Sequence, residues 1–194
     1  MSNCLLYLHA VNWLHKGLRS HNIIFFRTVA GHVDYSKPYL SGFDFSRPAR
    51  PDEMTDIPGD AEHNFYRHPH AQSVNPGERE RFKKSFDIYS LGVLFVEIAH
   101  WASVDTILKI NVSVARGRPS IALRVRQNLL AGDMIEEVGA CMGSVYEDAT
   151  RKCLAGGREL GLLEGDDETD DSVAARLSMA LHEEVVKRLG DVRI

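Results

Sequence analysis

Apolar positions recur at helical spacing along most of the chain. Over residues 2–15, Leu5, Leu8, Val11 or Asn12, and Leu14 or His15 fall near one face, which predicts a helix. Residues 22–27, Asn-Ile-Ile-Phe-Phe-Arg, are short, β-branched and aromatic, and read as a strand. A polar stretch with Gly31, Asp34 and Pro38 follows, and residues 39–43 return as a second strand, closing a small hairpin. The strongest signal is residues 87–102, DIYSLGVLFVEIAHWA, apolar nearly all round. A helix of that kind belongs in the middle of a domain. Further helices are expected over 120–131 (Leu123, Val125, Leu129), over 133–154 (Met134, Ile135, Val138, Met142, Val145, Ala149) and near 172–189 (Val173, Leu177, Leu181, Val185). Residues 47–64, with Pro48, Pro51, Pro58 and Gly59, read as a long loop. Residues 73–82, with Pro76 and Gly77, read as a second polar segment, and 155–171 as a glycine-rich loop ending in an acidic run at a helix start. The fold class expected is mainly α with one short β-hairpin.

Composition narrows the class without naming a function. The chain has 194 residues, 44% hydrophobic and 26% charged, enough for one core. Its net charge of −4 gives no basic footprint for nucleic acid. No apolar run approaches the roughly 18 residues of a membrane span, and the N-terminus lacks the charged and small-residue features of a signal peptide. Cys4, Cys141 and Cys153 are too few and too scattered for a disulfide framework or a zinc site. They read as reduced core thiols, with a cytoplasmic location.

Four short strings occur in a telling order. His15-Lys16-Gly17-Leu18-Arg19-Ser20-His21-Asn22 is followed by Ser41-Gly42-Phe43-Asp44-Phe45-Ser46, then by Tyr66-Arg67-His68-Pro69-His70, then by Asp87-Ile-Tyr-Ser-Leu-Gly92. Each alone is weak; the order, with the buried helix last, resembles the C-terminal lobe of a eukaryotic protein kinase over roughly residues 2–155. In finer wording, WLHKGLRSHNIIFF, YLSGFDFSRP, FYRHP and FDIYSLGVLFVEIAHW are similar to a fungal kinase-like group. That group is associated with HeLo-type prion-inhibition and propagation proteins and regulated cell death.

The resemblance implies roles, and this chain departs from several of them. His15, Leu18 and Asn22 match the family's H-R-D-L-x-x-x-N loop, and Lys16 replaces its Arg. Gly17 stands where the family has the Asp that accepts the substrate hydroxyl proton, and glycine cannot do so. Arg19 keeps the charge of a Lys that contacts the transferred phosphoryl. Gly42-Phe43-Asp44 occupies the place of the D-F-G triplet, so the Mg²⁺-holding Asp is missing; Asp44, two residues on, is a substitute ligand or a turn residue. Pro69, with Tyr66 before it, fits the A-P-E element, while His70 replaces its Glu. Asp87 and Gly92 fit D-x-W-S-x-G, whose Asp accepts backbone hydrogen bonds from the catalytic loop.

The rest of the phosphoryl-transfer machinery is not legible. These residues contain no G-x-G-x-x-G and no Ala-x-Lys strand, so the kinase N-lobe is absent from them. The glycines at 156–161 come too late and follow no strand. His63, His68 and His70 read as loop histidines ahead of metal ligands. Arg116, Arg118, Arg124 and Arg126 read as a solvated face ahead of a docking patch. The acids at 166–171 read as partners of a helix N-terminus ahead of a calcium loop.

The expectation is therefore a degenerate kinase-like core over 1–155, with 156–194 as a loop and C-terminal helix packing on it or trailing it. It acts as an interaction module with a protein partner and without nucleic acid, membrane or cofactor. Two alternatives stand beside it. One is an atypical ATP-dependent kinase in a longer product that contains an N-lobe or HeLo-type segment, with Asn22 and Asp44 holding ATP and Mg²⁺. The other is a non-functional gene fragment, which the start so near the catalytic loop favours.

Overall fold

The structure, a computed structural model, describes residues 1–49, 61–72, 80–116 and 118–192. Parts of the two expected polar segments, including Pro51, Pro58, Gly59, Pro76 and Gly77, lie outside the described residues.

The organising element is helix α3, Lys84–His100. Every residue from Lys84 to Glu97 is buried, as a helix apolar on all sides requires. Some of its polar members bond within the fold. Ser90 Oγ donates to the carbonyls of Tyr66 (2.7 Å) and Phe86 (3.0 Å), and Lys84 Nζ donates to Asn12 Oδ1 (2.7 Å). The helix ends at Trp101, whose backbone is left-handed with φ 50°.

Helix α1 is Ser2–Ala10 and buries Leu5 and His9. It stops well short of residue 15. The chain turns through Asn12, at φ 56°, and Lys84 holds that turn from across the fold. Strand β1, Trp13–Leu14, then pairs antiparallel with β4, Arg47–Pro48, a ladder that residue pattern does not predict. The expected hairpin is present but shorter. Strand β2 is Ile23–Ile24 and β3 is Tyr39–Leu40, with Ile23 opposite Leu40 and Ile24 opposite Tyr39. A single bridge between Arg27 and Val33 extends it.

The region expected as a loop over 47–64 ends instead in helix α2, Ala61–Tyr66. Two short helices unmarked by the pattern, α4 (Val104–Ile107) and α5 (Val112–Arg116), follow α3. Helix α6, Pro119–Leu129, buries Ala122, Val125 and Leu129, while Leu123 faces outward. The single helix expected over 133–154 is two: α7, Gly132–Met142, and α8, Ser144–Ala155. Gly143 separates them at φ 86°, a backbone conformation only glycine adopts freely.

Helix α8 packs along α3 and α7. Helix α9, Asp171–Leu181, runs on through a π-turn (His182–Lys187) into α10, Arg188–Gly190. Leu177, Leu181 and Val185 share one apolar cluster with Leu5, Ile88 and Leu94. The segment after residue 155 is thus part of the core, with α9 against α1. Cys153 is buried as expected, but Cys4 and Cys141 lie on outer helix faces and are exposed, so they are not core thiols.

Candidate functional site

The four strings converge on the N-terminal half of α3. Asp87 is fully buried there, and its carboxyl oxygens accept the backbone N–H groups of His15 (2.7 Å) and Lys16 (2.9 Å). His9 Nε2 lies 3.4 Å from the same carboxyl. The residue 72 positions away therefore clamps the turn in which Lys16 takes φ 63°. Two backbone donors with a buried carboxyl acceptor make strong bonds and cannot be left unpaired cheaply.

His15 is pinned on three sides. Its Nδ1 accepts from Gly17 N–H (3.3 Å), which leaves the proton on Nε2, and Nε2 lies 3.0 Å from the Ser41 carbonyl. Its ring packs on Phe43 with centroids 4.8 Å apart. Burial holds it below the usual imidazole range, against the pull of Asp87 and the Ser41 carbonyl. A neutral, fully tethered imidazole is a strut between the two strings.

The two glycines differ sharply. Around Gly17 a Cβ would meet nothing nearer than 3.7 Å. At Gly42 the backbone is left-handed, φ 74°, and a Cβ would fall 2.2 Å from Asn22 Nδ2. The Asn22 amide is held there by donating to the Gly17 carbonyl (2.7 Å). Asp44 lies on a 3₁₀ turn, Phe43–Phe45, and is exposed. Among the described residues no three His, Cys, Asp or Glu side chains gather as a metal site. Gly17 offers no base and Gly42 no ligand, so these two positions do not fit Mg²⁺ and ATP, and no phosphoryl-transfer step follows from them. Arg19 is half-buried and engaged in the fold.

Tyr66 and Pro69 bracket the neighbouring turn. The Tyr66 hydroxyl donates to Glu97 Oε1 (2.5 Å) and lies 3.0 Å from Ser20 Oγ, and Val104 N–H donates to the same Glu97 oxygen (2.8 Å). Burial pushes both the Tyr66 hydroxyl and the Glu97 carboxyl up from their ordinary ranges. Pro69 opens a 3₁₀ turn capped by His68. Of the three histidines expected in a loop, His63 is instead buried in helix α2, while His68 and His70 lie in the turn after it, His68 stacked on Phe86 at 4.4 Å and His70 meeting Glu80 at 2.7 Å. Gly92 is required by packing, since a Cβ there would lie 2.8 Å from Leu154 N on α8.

Two residues that carry this arrangement were not singled out by motif. Glu97 could have been found, as the one acid besides Asp87 in an otherwise apolar helix. Glu168 could not: it reaches back 83 positions to cap α3, accepting from Ser85 N–H (2.9 Å) and Ser85 Oγ (2.5 Å). Of the arginines, Arg116, Arg118 and Arg124 are exposed, while Arg126 donates to the Leu154 and Ala155 carbonyls and caps α8.

Fold and site together define a mainly helical domain wrapped on one buried helix, with a short β-hairpin at its N-terminal side. The chain belongs to the family described as Domain of unknown function (DUF7580), whose model matches residues 1–192. No curated protein and no solved structure matches it. No helix among the described residues is long and apolar enough to cross a membrane.

Proposed function

We propose that the chain is a degenerate protein kinase-like C-lobe that serves as a cytoplasmic protein-interaction module without phosphoryl transfer. The observation that carries the reading is the Asn22 amide, bonded to the Gly17 carbonyl and filling the space over Gly42. The resemblance would place the catalytic base and the metal ligand at those two glycines. Support for the kinase-like architecture comes from Asp87 clamping the His15–Lys16 turn, the relation the resemblance implies for that motif.

The interaction surface in this reading is the outer face of the hairpin. Ile24 and Phe26 alternate onto one side, Tyr39 pairs with Ile24, and the Phe26 and Tyr39 rings meet edge to face at 5.1 Å. Ile24, Phe26 and Tyr39 are 41%, 59% and 50% exposed. Adjacent exposed apolar groups of this size mark contact surfaces. The test is a photo-crosslinking residue, benzoylphenylalanine, placed at position 39 in the chain produced in its own cells. A matched chain carries it at position 179, where Met179 is also exposed, on α9. The reading expects discrete protein adducts from position 39 and few from 179. No adducts, or equal yields from both positions, would contradict it.

A further inference from the structure

The inner face of the same hairpin covers a second feature. Ile23 and Phe25 alternate away from the exposed face and line a cavity of about 450 Å³ that also touches Tyr35 and the end of α3 at Leu94, Glu97 and Trp101. The size is that of a small-molecule site. Three aromatic rings wall it in edge-to-face series: Phe25 to Tyr35 at 5.3 Å, and Tyr35 to Trp101 at 5.9 Å.

Among the described residues lining the cavity, Glu97 supplies the one carboxyl group and no side chain is Lys, Arg or His; Met1, which also lines it, carries the α-amino group. Glu97 is 5% exposed; Oε1 takes the Tyr66 hydroxyl and Val104 N–H, while Oε2 has no hydrogen-bond partner. A buried carboxyl oxygen without a donor is a costly group that a ligand donor would satisfy. The cavity also sits at the C-terminal end of a 17-residue helix, the negative end of its dipole. Aromatic faces attract cations as well.

We infer that this cavity binds a small organic ammonium: a positively charged nitrogen on an apolar stem. The stem lies against Ile23 and Leu94, the aromatic walls face the charged head, and Glu97 neutralises it. Ser20 of the first string lines the cavity and Tyr66 bonds its Glu97, but the inference does not depend on the proposed interaction role.

The test uses the full chain and follows the Trp101 indole N–H by NMR while adding hexylammonium, hexyltrimethylammonium or the uncharged hexan-1-ol. At least one of the two cations is expected to bind ten-fold or more tightly than the alcohol. Glu97→Gln, which keeps the acceptor for Tyr66 and Val104, is expected to remove that preference. Trp101 is 72% exposed, so changing it leaves the fold intact even if the Glu97 variant does not fold. Trp101→Leu, followed by calorimetry, is expected to weaken cation binding several-fold and leave the alcohol nearly unchanged. No saturable binding of either cation, equal binding of the alcohol, or a cation preference left undiminished by Trp101→Leu would overturn the inference.

Discussion

The side chain of Asn22 stands where a side chain on Gly42 would have to be. A Cβ on Gly42 would lie 2.2 Å from Asn22 Nδ2 and 2.3 Å from its Cγ, at a backbone φ of 74°. Gly42→Ala therefore meets both steric overlap and backbone strain, and is expected to destabilise the chain by about 1–3 kcal/mol. Adding Asn22→Ala removes the overlap and should recover part of that loss, leaving a strain of about 1 kcal/mol. Gly17→Ala, with its nearest neighbours at 3.7 Å, should stay within about 1 kcal/mol of the wild type. Urea unfolding of the four chains measures all three terms.

Asp87 holds a turn it shares no sequence neighbourhood with. Asp87→Ala leaves the buried N–H groups of His15 and Lys16 without acceptors. The expected cost is about 3 kcal/mol or more. Asp87→Asn keeps one acceptor oxygen and should cost less. Chemical denaturation ranks the two variants, and an Asp87→Ala chain as stable as the wild type would show that the clamp carries no weight.

The C-terminal segment is expected to be indispensable. Leu177, Leu181 and Val185 belong to the core, and Glu168 caps α3 through Ser85. A chain ending at residue 155 should lack a cooperative thermal transition. Glu168→Ala in the full chain should cost about 1–2 kcal/mol, the worth of a lost N-cap. Circular dichroism of both chains checks this.

How much of this was legible in advance depends on range. Helix α3 announced itself because a helix buried on all sides has to be apolar on all sides. Asp87 and Gly92 were singled out by the resemblance to D-x-W-S-x-G, and the structure gives each a physical reason: a backbone clamp and a close approach to α8. The end of α1 was not legible, because its apolar period runs on to residue 15, whereas the turn at Asn12 is held by Lys84 from 72 positions away. The break at Gly143 was hidden by an apolar face that continues across it. Strands β1 and β4 are two residues each, too short for any alternation to show. At the site, the glycines at 17 and 42 were plain from the letters, but the contact of Asn22 with both of them and the cap by Glu168 exist only in three dimensions.

His68 makes the fold sensitive to acid. Burial, stacked on Phe86, holds its imidazole down at about 3, with the charges of His70, Arg126 and Lys83 adding to the effect. In the unfolded chain its ordinary value is about 6.5. Between these values the unfolded state binds a proton that the folded state does not, so stability is complete above about pH 6.5 and falls as the pH drops towards 3. The loss from this residue is about 2 kcal/mol by pH 5. His68→Phe, which keeps the stacked ring, should flatten that decline. Urea midpoints at pH 7.5, 6 and 5 for both chains provide the comparison.

The central claim is that a kinase-like arrangement has been kept while its nucleotide chemistry has been lost. The most direct measurement is calorimetric titration of the full-length native protein with ATP and Mg²⁺, alongside a radiolabel transfer assay. The account predicts no Mg²⁺-dependent nucleotide binding and no labelled product, with the wild type and an Asp44→Ala variant indistinguishable. Mg²⁺-dependent binding or phosphate transfer that Asn22→Ala and Asp44→Ala abolish would contradict it.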